Sequence, residues 1–162
     1  MTDDGPFKAA VLAISTSKAA GEGQDESGPL LKELLEDAGC NVVAVELIPD
    51  DRDLIAGRLR FYSDENACDV IATTGGTGLS IDDVTPEATR DVIEREAQGI
   101  AEAMRLASRE HVPMHWMLSR GVAGSRGRTL IVNFPGNPNA ISQAGAAIAP
   151  SLGHAIGLLR RR

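Results

Sequence analysis

Asp69-Val70-Ile71-Ala72-Thr73-Thr74-Gly75-Gly76-Thr77-Gly78 sets a short apolar run directly against a glycine-rich loop. The run has the length of a buried strand, and the glycines end it. Working outward, Ala9–Ile14 and Val42–Ile48 have the same character. Met117–Ala123 and Thr129–Phe134 read as two further strands, joined across Gly124-Ser125-Arg126-Gly127. Between these runs the apolar residues recur at helical spacing. Leu30, Leu31, Leu34, Leu35 and Ala38 form one such face, with Ser27 or Gly28 as cap, Pro29 in the first turn and Gly39 past the end. Pro49-Asp50-Asp51 opens a second helix that places Leu54, Ile55, Leu59 and Tyr62 on one side. Thr85-Pro86-Glu87 starts a third, with a hydroxyl cap, a proline at N1 and an acid in the first turn. Helical character continues through Glu94 and again over about 99–109. The last segment is alanine-rich and helical, with Pro150 marking a kink or boundary.

Alternation of Val/Ile-rich strands with helices predicts an α/β fold, a three-layer α/β/α sandwich around a mostly parallel sheet. No repeat or linker is visible, so residues 1–162 read as a single domain. In open sheets of this kind ligands gather at the carboxyl ends of the strands. Four polar loops leave strand ends, Ser15–Glu26, Pro49-Asp50-Asp51, Gly75–Asp83 and Pro135–Asn139, and they are expected to converge on one site.

Composition excludes several classes. Apolar residues make up 43% of the chain, enough for a packed core and too many for a disordered one. Aromatics are 3%, which leaves little for stacking nucleic-acid bases. The net charge of −7 and the lack of a basic helix argue the same way. That charge is unevenly placed. All 23 acids lie at or before Glu110, whereas residues 111–162 carry only Arg120, Arg126, Arg128 and the tail Arg160 to Arg162. The split reads either as a basic tail plus chance or as a positive wall facing an anionic ligand. Cys40 and Cys68 are too few for a disulfide framework and sit beside apolar runs, as free buried thiols do. Ala9–Ile14 is too short for a signal-peptide core and follows Asp3 and Asp4; no run approaches the roughly 18 apolar residues of a membrane span. A soluble, cytoplasmic protein is the expectation.

The glycine loop carries the first chemistry. Glycines after a strand let backbone amides approach a phosphate, and the hydroxyls of Thr77 and Ser80 add donors; an ordinary tight turn is the alternative. It is not a Walker A loop, because no Gly-Lys-Ser/Thr follows, and Ile81 stands where a dinucleotide fingerprint needs glycine. Gly78-Leu79-Ser80-Ile81-Asp82 departs from a nucleophile elbow at its last position. The acid pairs Asp50-Asp51 and Asp82-Asp83 precede helices, where they serve as caps or hold Mg²⁺, which takes one or two carboxylates alongside substrate phosphates. Asn133-Phe134-Pro135-Gly136-Asn137-Pro138 makes a rigid turn at a strand end. Arg120 in Ser119-Arg120-Gly121 reads as a phosphate ligand or a solvated charge. His111 and His115 have i,i+4 spacing, but Pro113 between them disfavours the helix that a metal pair needs.

Together these loops resemble the Mog/MoaB family of molybdenum cofactor biosynthesis proteins. The resemblance rests on Thr73-Thr74-Gly75-Gly76-Thr77-Gly78 followed by Asp83-Val84-Thr85-Pro86-Glu87-Ala88-Thr89. Asp25-x-Ser27-Gly28-Pro29, Pro49-Asp50, Gly99-x-x-Glu102-x-x-Arg105, Ser119-Arg120-Gly121 and the Asn133–Pro138 turn support it. It covers about residues 8–159.

The resemblance implies a three-layer fold of the molybdopterin-binding-domain type, assembled as a homo-oligomer, either a trimer or a trimer-based hexamer. It implies a molybdopterin adenylyltransferase that takes molybdopterin and ATP as substrates with Mg²⁺. The two family aspartates fall on Asp50 and Asp83, as catalytic and metal-binding residues. Ser15, Gly75, Gly76, Thr77, Gly78, Ser119, Arg120, Pro135, Gly136, Asn137 and Pro138 fall where the family binds pterin and phosphates. The molybdate-insertion protein of the same pathway is an implied partner. Asp82 departs from the family, standing where many relatives carry a basic residue. Sharing a fold does not fix a reaction, and two alternatives stay open: a non-catalytic molybdopterin carrier and a nucleotide-pyrophosphate hydrolase.

Overall fold

The computed structural model describes residues 5–161; Asp3, Asp4 and Arg162, which entered the sequence arguments, lie outside the described residues. Six strands, β1 (Phe7–Ile14), β2 (Cys40–Ile48), β3 (Val70–Thr74), β4 (Arg95–Glu96), β5 (Ala123–Arg126) and β6 (Thr129–Phe134), form one sheet in the order β2-β1-β3-β6-β5-β4. The first four in that order are parallel; β5 and β4 add an antiparallel edge. The helices are α1 (Thr16–Ala19), α2 (Ser27–Asp37), α3 (Arg52–Arg60), α4 (Thr85–Arg90), α5 (Gln98–Ala107) and α6 (Pro138–Arg160).

The inner strands are buried on both faces, as parallel strands under crossover helices must be. Along β1, Ala9 and Val11 face a core built with Leu31 and Leu35 of α2, Met104 of α5 and Ile141, Ile148 and Ile156 of α6. Ala10, Leu12 and Ile14 face the opposite core, closed by Ile55 and Leu59 of α3, Tyr62, and Ala88 of α4. The period-2 alternation of a strand thus divides one apolar run between two cores and makes three layers. Cys40 and Cys68 are free and buried, and burial pushes both thiols up to about 11.

Several local expectations need correction. Met117–Ala123 is not a strand: Trp116–Leu118 forms a 3-10 turn, and β5 begins only at Ala123. Gly124 lies within β5 rather than in a turn, because a Cβ there would meet Ile93 Cδ1 at 2.7 Å, and its absence lets β4 pair closely. The turn falls at Gly127, at φ +54°. Helix α4 stops at Arg90 because the chain is captured by β5, with Glu94 N donating to Ser125 O at 2.8 Å. Leu54 is largely exposed, and Tyr62 is buried from a π-helical turn, Phe61–Glu65, that extends α3. No boundary occurs at Pro150, which sits on the exposed side within α6. Glu26 precedes α2 without a side-chain cap; instead the Asp25 carboxylate, one residue further back, accepts from Ser27 N at 3.1 Å and from Gly28 N.

Candidate active site

Register brings the four polar loops together. Ile14 pairs with Ile48, Ala13 with Thr74, and Thr74 with Phe134, so Ser15, Asp50, Gly75 and Pro135 all follow the same end of neighbouring strands. The loops are then stitched to one another. Ser15 N donates to Ile48 O at 2.9 Å, Thr74 Oγ1 to Pro135 O at 2.8 Å, and Ser27 Oγ to Gly136 O at 2.8 Å. These loops therefore lie together at one end of the sheet.

The glycine loop turns sharply off β3, with Gly75 at φ +95° and Gly76 at φ +67°, conformations that side-chain-bearing residues rarely adopt. A Cβ on Gly76 would lie 2.9 Å from Asp50 Oδ1, and one on Gly78 would lie 2.8 Å from Asp83 Oδ2. The bare backbone therefore admits both carboxylates against the loop. Thr85 does not cap its own helix. Its hydroxyl donates to Gly75 O at 3.0 Å and its amide to Gly76 O at 3.1 Å, fixing the loop to the start of α4.

The two acids of each pair have different tasks. Asp51 caps α3, accepting from Leu54 N at 2.9 Å. Asp50 instead takes Thr16 N at 3.0 Å and Thr16 Oγ1 at 2.8 Å on its Oδ2, leaving Oδ1 turned over Gly76. Asp83 accepts from Ser80 N at 3.1 Å, whereas Asp82 is exposed. Among the described residues no group of three or more His, Cys, Asp or Glu forms a metal cage. Two carboxylates set against the backbone of a glycine loop fit the donor set that Mg²⁺ uses when phosphates and water complete its shell.

Ser15 caps α1, accepting from Lys18 N. Thr77 is buried, 6% exposed. Asn137 caps α6 by accepting from Asn139 N at 2.9 Å, and Pro138 is its first residue. Gly136 packs on the loop, since a Cβ there would lie 3.3 Å from Gly75 Cα. Two cavities flank this junction. One is lined by Ser119, Trp116, His115, Asn133 and Pro135; the other by Ser15, Lys18, Ser27, Gly75 and Gly136. Arg120 does not present a free guanidinium: it is engaged by Glu87 and by two loop carbonyls. Burial opposes ionisation of Glu87, but the Arg120 guanidinium outweighs it and holds the carboxyl below its usual range. Arg126 and Arg160 pair with Asp64 and Asp69, so with Arg120 three of the six cations behind the positive-wall reading are tied to acids of the chain.

Sequence reasoning assigns no contact to Thr16 or Trp116, and Arg105 enters only as part of the Gly99-x-x-Glu102-x-x-Arg105 motif. Thr16 lies in the Ser15–Glu26 loop, but its partner Asp50 is set by the β1–β2 register. Arg105 Nη1 donates to Gly121 O at 2.9 Å, bracing the segment that carries Ser119 and Arg120.

A mostly parallel α/β sheet with its polar loops gathered at one end marks a small-molecule-binding domain of the open-sheet class. The chain belongs to the family described as "Probable molybdopterin binding domain", whose model matches residues 10–154. It is 38% identical over 151 residues to the molybdopterin adenylyltransferase of Helicobacter pylori strain J99, covering 92% of this chain and 85% of that one. It is 35% identical over 154 residues to molybdenum cofactor biosynthesis protein B of Bacillus cereus, covering 94% and 90%. The crystal structure of the molybdopterin biosynthesis enzyme MoaB from Thermus thermophilus superposes with a TM-score of 0.90 at 43% identity, covering 96% of this chain and 98% of that one.

Proposed function

We propose that the protein is a Mg²⁺-dependent molybdopterin adenylyltransferase acting in molybdenum cofactor biosynthesis. A terminal phosphate oxygen of molybdopterin attacks the α-phosphorus of ATP, the bond to the β-phosphate oxygen breaks, and adenylylated molybdopterin and pyrophosphate result. The substrate brings its own nucleophile, so no covalent enzyme intermediate is required. The observation that carries this reading is the placement of the Asp50 carboxylate against Gly76 and of the Asp83 carboxylate against Gly78 of one glycine loop.

Asp50 and Asp83 would hold the metal, and Mg²⁺ bound there would neutralise developing phosphate charge. Trp116 and His115 line the first cavity and would pack against a flat pterin there, with Ser119 and Pro135 also in its wall. Ser15 and Lys18 offer donors to phosphates in the second, beside the Gly75–Gly78 backbone. A homo-oligomer, trimer or hexamer, is part of the proposal. It is supported by Val43, Val45 and Leu47, which leave an apolar row partly exposed on the edge strand β2. Asp83→Asn should keep pterin binding and abolish adenylyl transfer; retained turnover would contradict the metal assignment. A pure carrier has no use for two carboxylates beside bound phosphates, which favours the enzyme.

A further inference from the structure

Arg120 sits beside Ser119 at the edge of the first cavity, where a cation suggests a phosphate ligand. Its bonds point elsewhere. Its amide donates to Thr77 O at 2.8 Å, Nε to Gly78 O at 2.7 Å, Nη2 to Asp83 O at 2.9 Å, and Nη1 to the Glu87 carboxylate. One residue thus spans both ends of the segment between the glycine loop and Asp83 and reaches into the first turn of α4.

Apart from these bonds and the two from Thr85 that tie the glycine loop to α4, few long-range contacts among the described residues hold that segment. Leu79 is 69% exposed and Ile81 is 93% exposed, so apolar packing does not fix its path. Its own bonds are short-range, Ser80 N to Asp83 Oδ2 and Asp83 N to Ser80 O. A guanidinium can serve three divergent acceptors at once from a planar fork, which a lysine ammonium on a flexible stem does not reproduce. Pairing with Glu87 also removes most of the charge that a phosphate would meet. The strut has its own brace, because Arg105 holds the carbonyl of Gly121 next door.

We propose that Arg120 is a positioning residue that sets the path of residues 78–83, aiming the Asp83 carboxylate over the glycine loop without itself touching the reacting phosphates. The inference rests on the adenylyltransferase reading and deepens it, by assigning the means by which one of its two carboxylates is fixed. Residues that orient a metal ligand from behind cost about 10–100-fold in activity or metal affinity when replaced.

The test compares wild type, Arg120→Lys, Arg120→Met and Glu87→Gln. Three quantities are measured: adenylyl transfer against Mg²⁺ concentration, binding of molybdopterin followed by its fluorescence, and amide hydrogen exchange of residues 78–83 in the free protein. Both Arg120 variants should lower kcat by about 10–100-fold and raise the half-saturating Mg²⁺ concentration. They should leave pterin affinity unchanged and speed exchange of the Ser80 amide. Glu87→Gln should shift the same quantities in the same direction by less. Full activity of Arg120→Lys would overturn the proposal, because a point charge would then suffice. So would a loss confined to substrate affinity, or unchanged protection of Ser80. If wild type makes no adenylylated product, the reaction assignment fails on its own, and the exchange comparison still decides the role of Arg120.

Discussion

Asp50 owes its aim to Thr16, which donates both its amide and its hydroxyl to one carboxylate oxygen and, through that same hydroxyl, accepts from Asp50 N at 3.0 Å. The reciprocal pair locks the end of β2 to the end of β1 and leaves the other carboxylate oxygen over the loop. Thr16→Val, which keeps the shape and removes the hydroxyl, is expected to reduce the rate of adenylyl transfer by about 10–100-fold at saturating substrate. An unchanged initial rate would count against an aimed Asp50. The placement of Asp50 and Asp83 was legible in the sequence, because each stands where a strand-end loop meets a helix start. Thr16 was not, since its role exists only once β1 and β2 pair in register. Thr85 was misread for a related reason: a hydroxyl before Pro86 has the chemistry of a cap, but the nearby loop carbonyl of Gly75 takes it instead.

At the level of elements, the glycine loop was readable because the constraint is local: positive φ at two successive residues leaves glycine as the ready choice. Gly76→Ala should abolish turnover while leaving most of the sheet intact, because the new methyl group meets Thr85 Oγ1 and, at 2.9 Å, Asp50 Oδ1, and its backbone conformation is strained. Circular dichroism and an activity assay together check this; an active, folded variant would contradict it. The antiparallel edge was not readable. Its second strand is four residues, Ala123-Gly124-Ser125-Arg126, whose glycine mimics a turn while in fact admitting β4. Gly124→Val is expected to cost about 1–3 kcal/mol, seen as a lower denaturant midpoint, because overpacking forces β4 away. Stability equal to wild type would show that β4 contributes nothing. The small-residue run Ala144–Ala149 finds an internal use, with Gly145 backing directly onto Leu34 of α2.

Across the whole molecule, the uneven charge that the sequence displayed resolves into ties between distant segments. Arg160, near the end of α6, holds Asp69 at the start of β3 through two bonds of 2.8 and 2.7 Å, and Lys8 N donates to the same carboxylate at 2.8 Å. Burial opposes ionisation of Asp69, yet these bonds outweigh it and hold its carboxyl below the usual carboxylate value. A carboxyl depressed in the folded state stabilises the protein above its unfolded pKa of about 3.9, and that contribution fades as pH falls through the lower folded value. Asp69→Asn should therefore cost about 1.5–3 kcal/mol at pH 7, and the gap to wild type should close at acid pH. A gap independent of pH would contradict the linkage. Sedimentation equilibrium is expected to give about three or six times the 17.0 kDa chain mass, and a monomer would remove the assembly from the proposal. The three-layer architecture was legible because it follows from alternation summed over the chain, and such sums tolerate local misreadings like that of Met117–Ala123. The most direct measurement is incubation of the protein with molybdopterin, ATP and Mg²⁺, followed by mass spectrometry. Adenylylated molybdopterin and pyrophosphate are expected in equal amounts, formed only with Mg²⁺; pterin bound without product, or hydrolysis of a dinucleotide alone, would contradict the adenylyltransferase assignment.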